Sequence, residues 1–305
     1  MLSKSHKNMI LGLMWRYNFA VSNKHHRVMR FTKMHGIGND YIYINAIEEK
    51  VENPSALSIS LSRHHFGIGS DGLVLIMKSD VADFRMRMFN PDGTEAEMCG
   101  NASRCVAKYV YDKGLTTKRS FTIETGAGIK NVWVNLKEGE VDTVKIDMGK
   151  PILAPELIPT TVSEKSPVLM APLQVNGKQY KVNCVSMGNP HCVIFTEGVA
   201  LLDIKKIGPA IETHPSFPKK TNVEFAEVID DYTIKMRVWE RGTGETLACG
   251  TGACATAVAA YLNGLCKSNV TLRLIGGDLN IEYNETDGHV YMTGAAVTIF
   301  EGVIK

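Results

Sequence analysis

The chain has 305 residues, with 44% hydrophobic residues, 22% charged residues and a formal net charge of +2. This composition is typical of a globular protein of about two domains. The nearly balanced charge gives no sign of a surface for nucleic acid or an anionic membrane, and no apolar run reaches the ~18 residues of a membrane span. Neither kind of partner is therefore expected.

Residues 1–28 are predicted to form an N-terminal extension outside the fold. The short apolar run Met9–Trp15 follows basic residues, as in a signal peptide. However, Arg16 interrupts the run, and no convincing small-residue cleavage site follows it. We therefore expect the folded part of the chain to begin near Met29.

The next elements are two strands within residues 30–45, joined by a glycine-rich turn, and a helix over 54–65 with Ser55 as its cap. Residues 67–72 match the pattern G-x-G-x-x-G, but they follow a helix and open a strand. A dinucleotide-binding loop requires the opposite order, so we interpret this segment as a turn. Period-two alternation predicts a further strand over 83–89.

The most informative stretch is 240–257, which reads ERGTGETLACGTGACATA and has a counterpart 150 residues earlier. In this register Cys249 corresponds to Cys99, and each cysteine is followed by glycine and by an alanine-containing helix. Both helices are expected to stop just before a glycine, which relieves strain at a helix end. An internal duplication therefore defines the architecture.

Each copy contains many short β-branched segments and few long helices, which favours an α+β fold. We predict two similar domains at an offset of 150, each a mixed or antiparallel sheet or barrel wrapped around a central helix that starts at a cysteine. The active site would lie in the cleft between them. The proline-rich segment 149–172 is predicted to be the linker.

A cysteine at a helix start carries chemistry that most cysteines lack. Unpaired backbone N–H groups and the helix dipole stabilise a thiolate, so the pKa values of Cys99 and Cys249 are expected to be lowered. The same N–H groups bind carboxylates. Two such sites facing each other would allow one sulfur to remove an acidic C–H proton while the other returns a proton to the opposite face.

The other cysteines are interpreted as small buried hydrophobic residues. They are Cys105, Cys184, Cys192, Cys254 and Cys266. An odd total of seven argues against a disulfide framework and for a reducing compartment. The cysteines on each helix point in directions too different to clamp one zinc ion. A cysteine–histidine hydrolase would leave the second helix-start cysteine unexplained.

Several motifs together resemble the diaminopimelate epimerase family. They read FTKMHGIGNDY (31–41), FNPDGTEAEMCGNASRC (89–105), GNPHCV (188–193), TNVEF (221–225) and WERGTGETLACGTGA (239–253). The resemblance implies an N-terminal half over 29–149 and a C-terminal half over 150–292. It also implies that the last strand, about 293–305, returns to the N-terminal half.

The same resemblance implies a function. The enzyme would be a cytoplasmic homodimer that interconverts LL- and meso-diaminopimelate, a small-molecule substrate, without pyridoxal phosphate or metal. Cys99 and Cys249 would be the two acid/base thiols. The backbone of four residues would bind the reacting carboxylate: Gly100, Asn101, Gly250 and Thr251. The distal end of the substrate would be held by Asn39, Asn90, Asn189, Asn222 and Arg241. Glu240 would contact the substrate and, with His191, tune the thiols.

Two positions depart from the family pattern, and two alternative functions stay open. Ala102 replaces the usual glycine at a helical position that accepts alanine readily, and Gly72 stands where some members have glutamine. A related cofactor-independent histidine or proline racemase would use the same two thiols. A non-catalytic binding protein on the same fold is the alternative from another class, and the retention of both cysteines argues against it.

Overall fold

The computed structural model describes residues 28–304. The predicted N-terminal extension, apart from Val28, lies outside the described residues. Within them the chain forms a mixed sheet with four α-helices, arranged as two similar halves. The predicted α+β fold of two duplicated units is therefore confirmed.

The helices repeat at the offset of 150 that the sequence indicates. In chain order they are α1 Pro54–Ser62, α2 Gly100–Asp112, α3 Ile204–Glu212 and α4 Gly250–Leu262. A short 3₁₀ turn, Val199–Leu201, precedes α3. None of the helices within residues 28–304 is long and apolar enough to cross a membrane.

The strands of the first half precede α1, lie between its two helices and follow α2. They are β1 Met29–Gly36, β2 Asn39–Asn45, β3 Leu73–Met77, β4 Phe84–Phe89, β5 Glu95–Ala96, β6 Ser120–Thr125, β7 Gly128–Lys137 and β8 Glu140–Gly149.

The second half repeats this order after one additional strand. Its strands are β9 Val168–Val175, β10 Lys178–Ser186, β11 Pro190–Phe195, β12 Asn222–Asp230, β13 Thr233–Glu240, β14 Gly244–Thr246, β15 Asn269–Leu274, β16 Gly277–Tyr283 and β17 Val290–Ala295. The last strand is β18 Val297–Ile304.

The pairing of the strands explains how the last strand completes the pattern. β9 lies against β10 in the second half, and β18 lies against β1, the counterpart of β10, in the first half. Both pairs are antiparallel. β8 and its counterpart β17 pair antiparallel with each other and join the two halves into one sheet. The chain therefore crosses between the halves both after β8 and after β17.

The sheet wraps around α2 and α4, which form the middle of each half. Helix α4 is rich in alanine and is buried along almost its whole length. Small residues allow the strands to approach the helix closely, and the sheet provides apolar contacts on every side. The start of each helix is consequently held in a fixed position.

Three local predictions are wrong in detail. Ser55 does not cap α1; the cap is Asn53, whose Oδ1 accepts from the backbone N–H of Ala56 at 3.0 Å. Helix α1 ends three residues earlier than predicted, at Ser62 instead of residue 65. The predicted linker 149–172 includes the start of β9, because Val168 and the residues that follow it pair with β10.

The glycine-containing segment 67–72 is a turn between α1 and β3, as predicted. Gly72 has φ +147°, and a Cβ there would lie 2.2 Å from the carbonyl oxygen of Phe89 and 3.0 Å from the Tyr41 ring. The backbone at this position therefore has no room for the glutamine that the resemblance also allows here. The missing side chain is a requirement of the local packing.

We expect Gly72→Ala to lower the free energy of unfolding by about 2–4 kcal/mol, because it adds both backbone strain and a clash with Phe89. Gly139→Ala is the matched control, since Gly139 has φ +91° with open space around it. Its cost should be about 1 kcal/mol, from strain alone. Urea denaturation measures both, and equal losses would contradict the proposed clash.

Candidate active site

Both helix-start cysteines line one cavity of about 390 Å³ between the two halves. The size suits a small organic molecule. Most of the predicted site residues lie around the same cavity: Asn39, Asn90, Cys99, Gly100, Asn101, Asn189, Glu240, Cys249, Gly250 and Thr251. The structure therefore brings together residues that are far apart in the chain.

Three predicted site residues do not line this cavity. They are His191, Asn222 and Arg241. His191 and Asn222 are buried behind it, whereas Arg241 is exposed. Within residues 28–304, no group of three or more His, Cys, Asp and Glu side chains is arranged to hold a metal ion.

Each cysteine occupies the N-cap position of its helix. Cys99 has φ −137° and ψ 124°, and Cys249 has φ −127° and ψ 110°, so both are extended while the next residue is helical. The first N–H groups of a helix have no partner within it. At Cys249 the sulfur itself accepts one of them, from Gly252 at 3.4 Å.

Cys99 lies at the end of a chain of amide hydrogen bonds. Its thiol donates to Oδ1 of Asn39 at 3.3 Å, and the Asn101 amide donates to the same oxygen at 3.3 Å. Asn39 is held in turn by Asp71, which accepts from its Nδ2 at 2.8 Å. Behind Asn101, the buried guanidinium of Arg104 donates to Oδ1 of Asn101 at 2.8 Å.

Cys249 lies at the end of a second chain. Its sulfur is 3.5 Å from the Thr251 hydroxyl, which accepts from Nδ2 of Asn189 at 3.3 Å. The oxygen of Asn189 faces Nε2 of His191 at 3.0 Å and therefore accepts from it. The other ring nitrogen of His191 lies 2.7 Å from Oε1 of Glu224, and both of these side chains are fully buried. His191 thus positions Asn189 instead of contacting a sulfur.

Glu240 is the acidic side chain of the cavity wall. The Thr246 hydroxyl donates to its carboxylate, and its carboxylate also interacts with the thiol of Cys249. Burial is the main reason why the pKa of Glu240 is raised, and Glu224 raises it further. Burial favours the neutral form of a carboxyl group.

Asn222 and Arg241 form a separate small arrangement beside the cavity. Oδ1 of Asn222 accepts from the backbone N–H of Arg241 at 2.9 Å, and its Nδ2 donates to the carbonyl of Pro190 at 2.8 Å. The guanidinium of Arg241 donates to the carbonyl of Lys219 at 3.1 Å. Asn222 therefore fixes the backbone immediately after Glu240.

The expectation of lowered thiol pKa values is wrong. At Cys99, burial is the largest effect and raises the pKa above its ordinary value. The backbone N–H groups of Ala102 and Asn101 lower it, Glu240 raises it, and Arg104 lowers it. The helix start therefore acts in the predicted direction but is outweighed by desolvation.

At Cys249 the pKa is raised well above its ordinary value, and burial is again the largest cause. Glu240 and Glu224 raise it further, whereas the hydrogen bonds from Thr251 and Gly252 lower it. Arg104 is the buried ionisable group behind Cys99, whereas behind Cys249 it is Glu224 together with His191, whose Nδ1 lies 2.7 Å from Oε1 of Glu224. The two thiols therefore occupy similar backbone positions in different electrostatic surroundings.

Sequence reasoning missed three residues that this geometry makes important. Tyr41 lines the cavity, while Arg104 and Glu224 are the buried charged groups behind the two helix starts. All three lie inside the motifs quoted above. Nothing in the motif spacing indicated that an arginine or a glutamate would be buried without solvent.

Comparison with known proteins places the chain in one family. Residues 31–154 and 183–299 match the family model described as diaminopimelate epimerase. Relatives of that name from Acetivibrio thermocellus and Methanococcus maripaludis are each 60% identical over 276 residues. The matches cover 90% of this chain and 98% and 99% of the relatives. The chain belongs to the diaminopimelate epimerase family.

Solved structures with the same fold share much less sequence. A PhzF-family phenazine biosynthesis protein from Bacillus anthracis has a TM-score of 0.65 at 17% identity, covering 92% of this chain and 99% of its own. A probable proline racemase from Agrobacterium radiobacter has a TM-score of 0.65 at 15% identity, covering 91% and 93%. These two show that the epimerase family fold is shared by proteins with other names.

We expect Glu240→Gln to increase the free energy of unfolding at neutral pH, because burial raises the pKa of this carboxyl and disfavours its ionised form in the fold. In the folded wild-type protein the pKa of Glu240 lies above its ordinary value. The wild-type protein therefore loses stability as the pH rises from the ordinary pKa to the raised pKa of the folded state. The gain in the variant should vanish below the ordinary value of 4.5, where both states are protonated.

Urea denaturation at several pH values measures this effect. Glu95→Gln is the matched control, since Arg87 lowers the pKa of Glu95 and its ionised form is favoured in the fold. That substitution should reduce stability at neutral pH. A Glu240→Gln variant that is less stable than wild type at neutral pH would contradict the assignment of a raised pKa.

Proposed function

We propose that this protein catalyses the epimerisation of LL-diaminopimelate to meso-diaminopimelate, with Cys99 and Cys249 as the two acid/base groups. The observation that carries the proposal is that both cysteines begin a buried helix and line the same cavity. The relatives at 60% identity that are named diaminopimelate epimerase support the choice of substrate.

The proposed reaction transfers one proton on each face of the substrate. The thiolate of one cysteine removes the α-proton, which forms an S–H bond and leaves the electron pair on the α-carbon and its carboxylate. The thiol of the other cysteine then gives its proton to the opposite face. The net result is inversion at the carbon and an exchange of roles between the two sulfurs, which proton transfer with solvent reverses.

The helix starts are the proposed binding site for the reacting carboxylate. The backbone N–H groups of Gly100 and Asn101 belong to one helix start, and those of Gly250 and Thr251 belong to the other. As charge develops on the carboxylate, donors that are already oriented stabilise it without further rearrangement. The substrate carboxylate thus receives the negative charge, and the backbone N–H groups stabilise it.

The raised thiol pKa values are consistent with this chemistry. A thiolate with a higher pKa is a stronger base, and an amino-acid α-proton is only weakly acidic. The carboxylate of Glu240 interacts with the Cys249 thiol and raises its pKa. His191 contributes indirectly, through the orientation of Asn189.

The distal amino-acid group is proposed to be bound by Asn39, Asn90, Asn189, Asn222 and Arg241. Asn39 and Asn90 line the cavity with their side chains fixed by Asp71 and Thr94. For Arg241 to form a bidentate contact with a carboxylate, its guanidinium must exchange its hydrogen bond to the Lys219 carbonyl. Binding of the distal end would therefore order this exposed side chain.

We also propose a cytoplasmic homodimer. All seven cysteines are free thiols, as suits a reducing compartment. Strand β18 presents several exposed apolar side chains: Val297, Ile299, Phe300 and Val303. An exposed apolar strand is a ready surface for pairing with a second chain. A second copy would remove this surface from water.

The proposed activity is tested by incubating the purified protein with LL-diaminopimelate and following the formation of the meso isomer by chiral chromatography. Free L-histidine and L-proline, tested in parallel, distinguish the alternative racemases on this fold. Turnover of diaminopimelate alone supports the proposal. Inversion of histidine or proline without turnover of diaminopimelate would contradict it.

We expect Cys99→Ser and Cys249→Ser each to reduce kcat by at least about 100-fold, because a serine alkoxide is far harder to form than a thiolate. Cys266→Ser is the control, since Cys266 is remote from the cavity lining. It should retain wild-type activity. A Cys99 or Cys249 variant that turns over within about tenfold of wild type would contradict the two-thiol scheme.

We expect Ile299→Lys to convert the protein from dimer to monomer, because a charge on β18 disfavours pairing at this surface. Val81→Lys introduces the same charge at another exposed apolar position and should leave the mass unchanged. Light scattering after gel filtration measures both. A dimer that persists in Ile299→Lys would place the interface elsewhere.

A further inference from the structure

Arg104 is a charged side chain that is buried without a carboxylate partner among residues 28–304. Its relative exposure is 0%, and its guanidinium donates to Oδ1 of Asn101 at 2.8 Å and to the carbonyl of Ala295 at 3.2 Å, with the sulfur of Met292 at 3.7 Å. All three partners are neutral. A buried charge without a counter-ion is unfavourable unless nearby negative charge compensates it.

The acidic groups that act on Arg104 are thiols and a phenol, not carboxylates. They are Cys105, Cys99, Tyr43 and Cys254, in decreasing order of effect. Of these, only Cys99 lines the cavity. A chain of hydrogen bonds links the guanidinium to the cavity. Arg104 donates to Oδ1 of Asn101, and both the amide of Asn101 and the thiol of Cys99 donate to Oδ1 of Asn39. Negative charge at the first helix start is therefore the natural counter-charge of Arg104.

The second helix start has the opposite surroundings. The position equivalent to Arg104 is Cys254, and the buried acidic group there is Glu224, whose Oε1 lies 2.7 Å from Nδ1 of the buried His191. A Cβ built on Gly252 would lie 2.6 Å from Oε1 of Glu224 and 3.3 Å from the sulfur of Cys249, so both atoms approach one point. The second oxygen of Glu224 has no hydrogen-bond partner among the described residues.

We propose that Arg104 is a positioning residue that holds the first helix start ready for negative charge, so that Cys99 ionises before Cys249 in the free enzyme. The duplication made the two helix starts alike in backbone, and the buried guanidinium of Arg104 makes them different in charge. The resting enzyme then has one predominant base and one predominant acid. This inference rests on the proposed two-thiol function.

Other charged and titratable groups lie near the sulfurs, and most of them do not distinguish Cys99 from Cys249. Glu240 faces both thiols and raises both pKa values, and Tyr41 lies beside Cys99 with its own pKa raised mainly by burial. Among the two thiols, Cys249 has Glu224 as a second carboxylate nearby, and His191 lies 2.7 Å from that carboxylate. The difference between the two thiols is therefore due to Arg104 on one side and Glu224 on the other.

A purely structural role for Arg104 makes a different prediction. Its bonds to Asn101 and Ala295 join α2 to the end of β17, so removing it would loosen the contact between the halves. Such a loss would change stability and affect both sulfurs alike. If Arg104 acts through its charge, its removal changes the pKa of Cys99 and leaves the pKa of Cys249 unchanged.

The test is the pH dependence of alkylation by iodoacetamide, measured separately at Cys99 and Cys249 by peptide mass spectrometry. In the wild-type enzyme Cys99 should reach half of its maximal rate at a lower pH than Cys249. Arg104→Met should raise the Cys99 value by about one pH unit or more, a roughly tenfold slower reaction at fixed pH, with Cys249 unchanged. Arg104→Lys retains the charge and should stay close to wild type.

Arg87→Met is the control, because it removes a charge in the same half from a partly exposed pair with Glu95. It should shift neither sulfur. A wild-type order with Cys249 first, or a folded Arg104→Met variant with an unmoved Cys99 profile, would overturn the inference. If Arg104→Met does not fold, the wild-type order and the Arg104→Lys profile decide. Since no diaminopimelate is used, failure here is distinct from failure of the proposed substrate.

Discussion

The unpaired backbone N–H groups at the start of a helix are the constraint on which the site depends. They stabilise negative charge only when the helix end is held in a fixed position and the charged group lies next to it. In this fold both requirements are met twice, because the sheet surrounds α2 and α4 and the pairing of β8 with β17 joins the halves. The two helix starts consequently share one cavity.

Burial works against the same N–H groups. Removing a thiol from water raises its pKa, and at both cysteines this effect exceeds the stabilisation of the thiolate by the helix. The balance is then decided by the few charged groups that are buried nearby. The site therefore combines a strong base, which burial produces, with preorganised donors for the charge that the reaction transfers to the substrate carboxylate.

Much of this architecture could be predicted from sequence. The offset of 150 located both helices, and the position of Cys99 and Cys249 before them indicated the N-cap geometry. The pKa values could not be predicted, because they depend on solvent exclusion by strands that are distant in the chain. The burial of Arg104 could not be predicted either, since it arises from contacts with Ala295 and Met292, which are distant in the chain.

Errors at the ends of elements have a different origin. The choice between Ser55 and Asn53 as the cap of α1 depends on one side-chain hydrogen bond, and both residues are good caps. Ser55 instead donates to the carbonyl of Gly93, a contact across the fold. Local propensity left these alternatives equal, and tertiary contacts decided between them.

The central claim is that two different sulfurs act on the two faces of one carbon. It is tested most directly by epimerising LL-diaminopimelate in deuterium oxide and analysing the first few per cent of product. The account predicts deuterium at the inverted carbon of each meso product, while unreacted LL substrate retains its hydrogen. Product that keeps the original hydrogen would show that one group both removes and returns the proton, and would contradict the account.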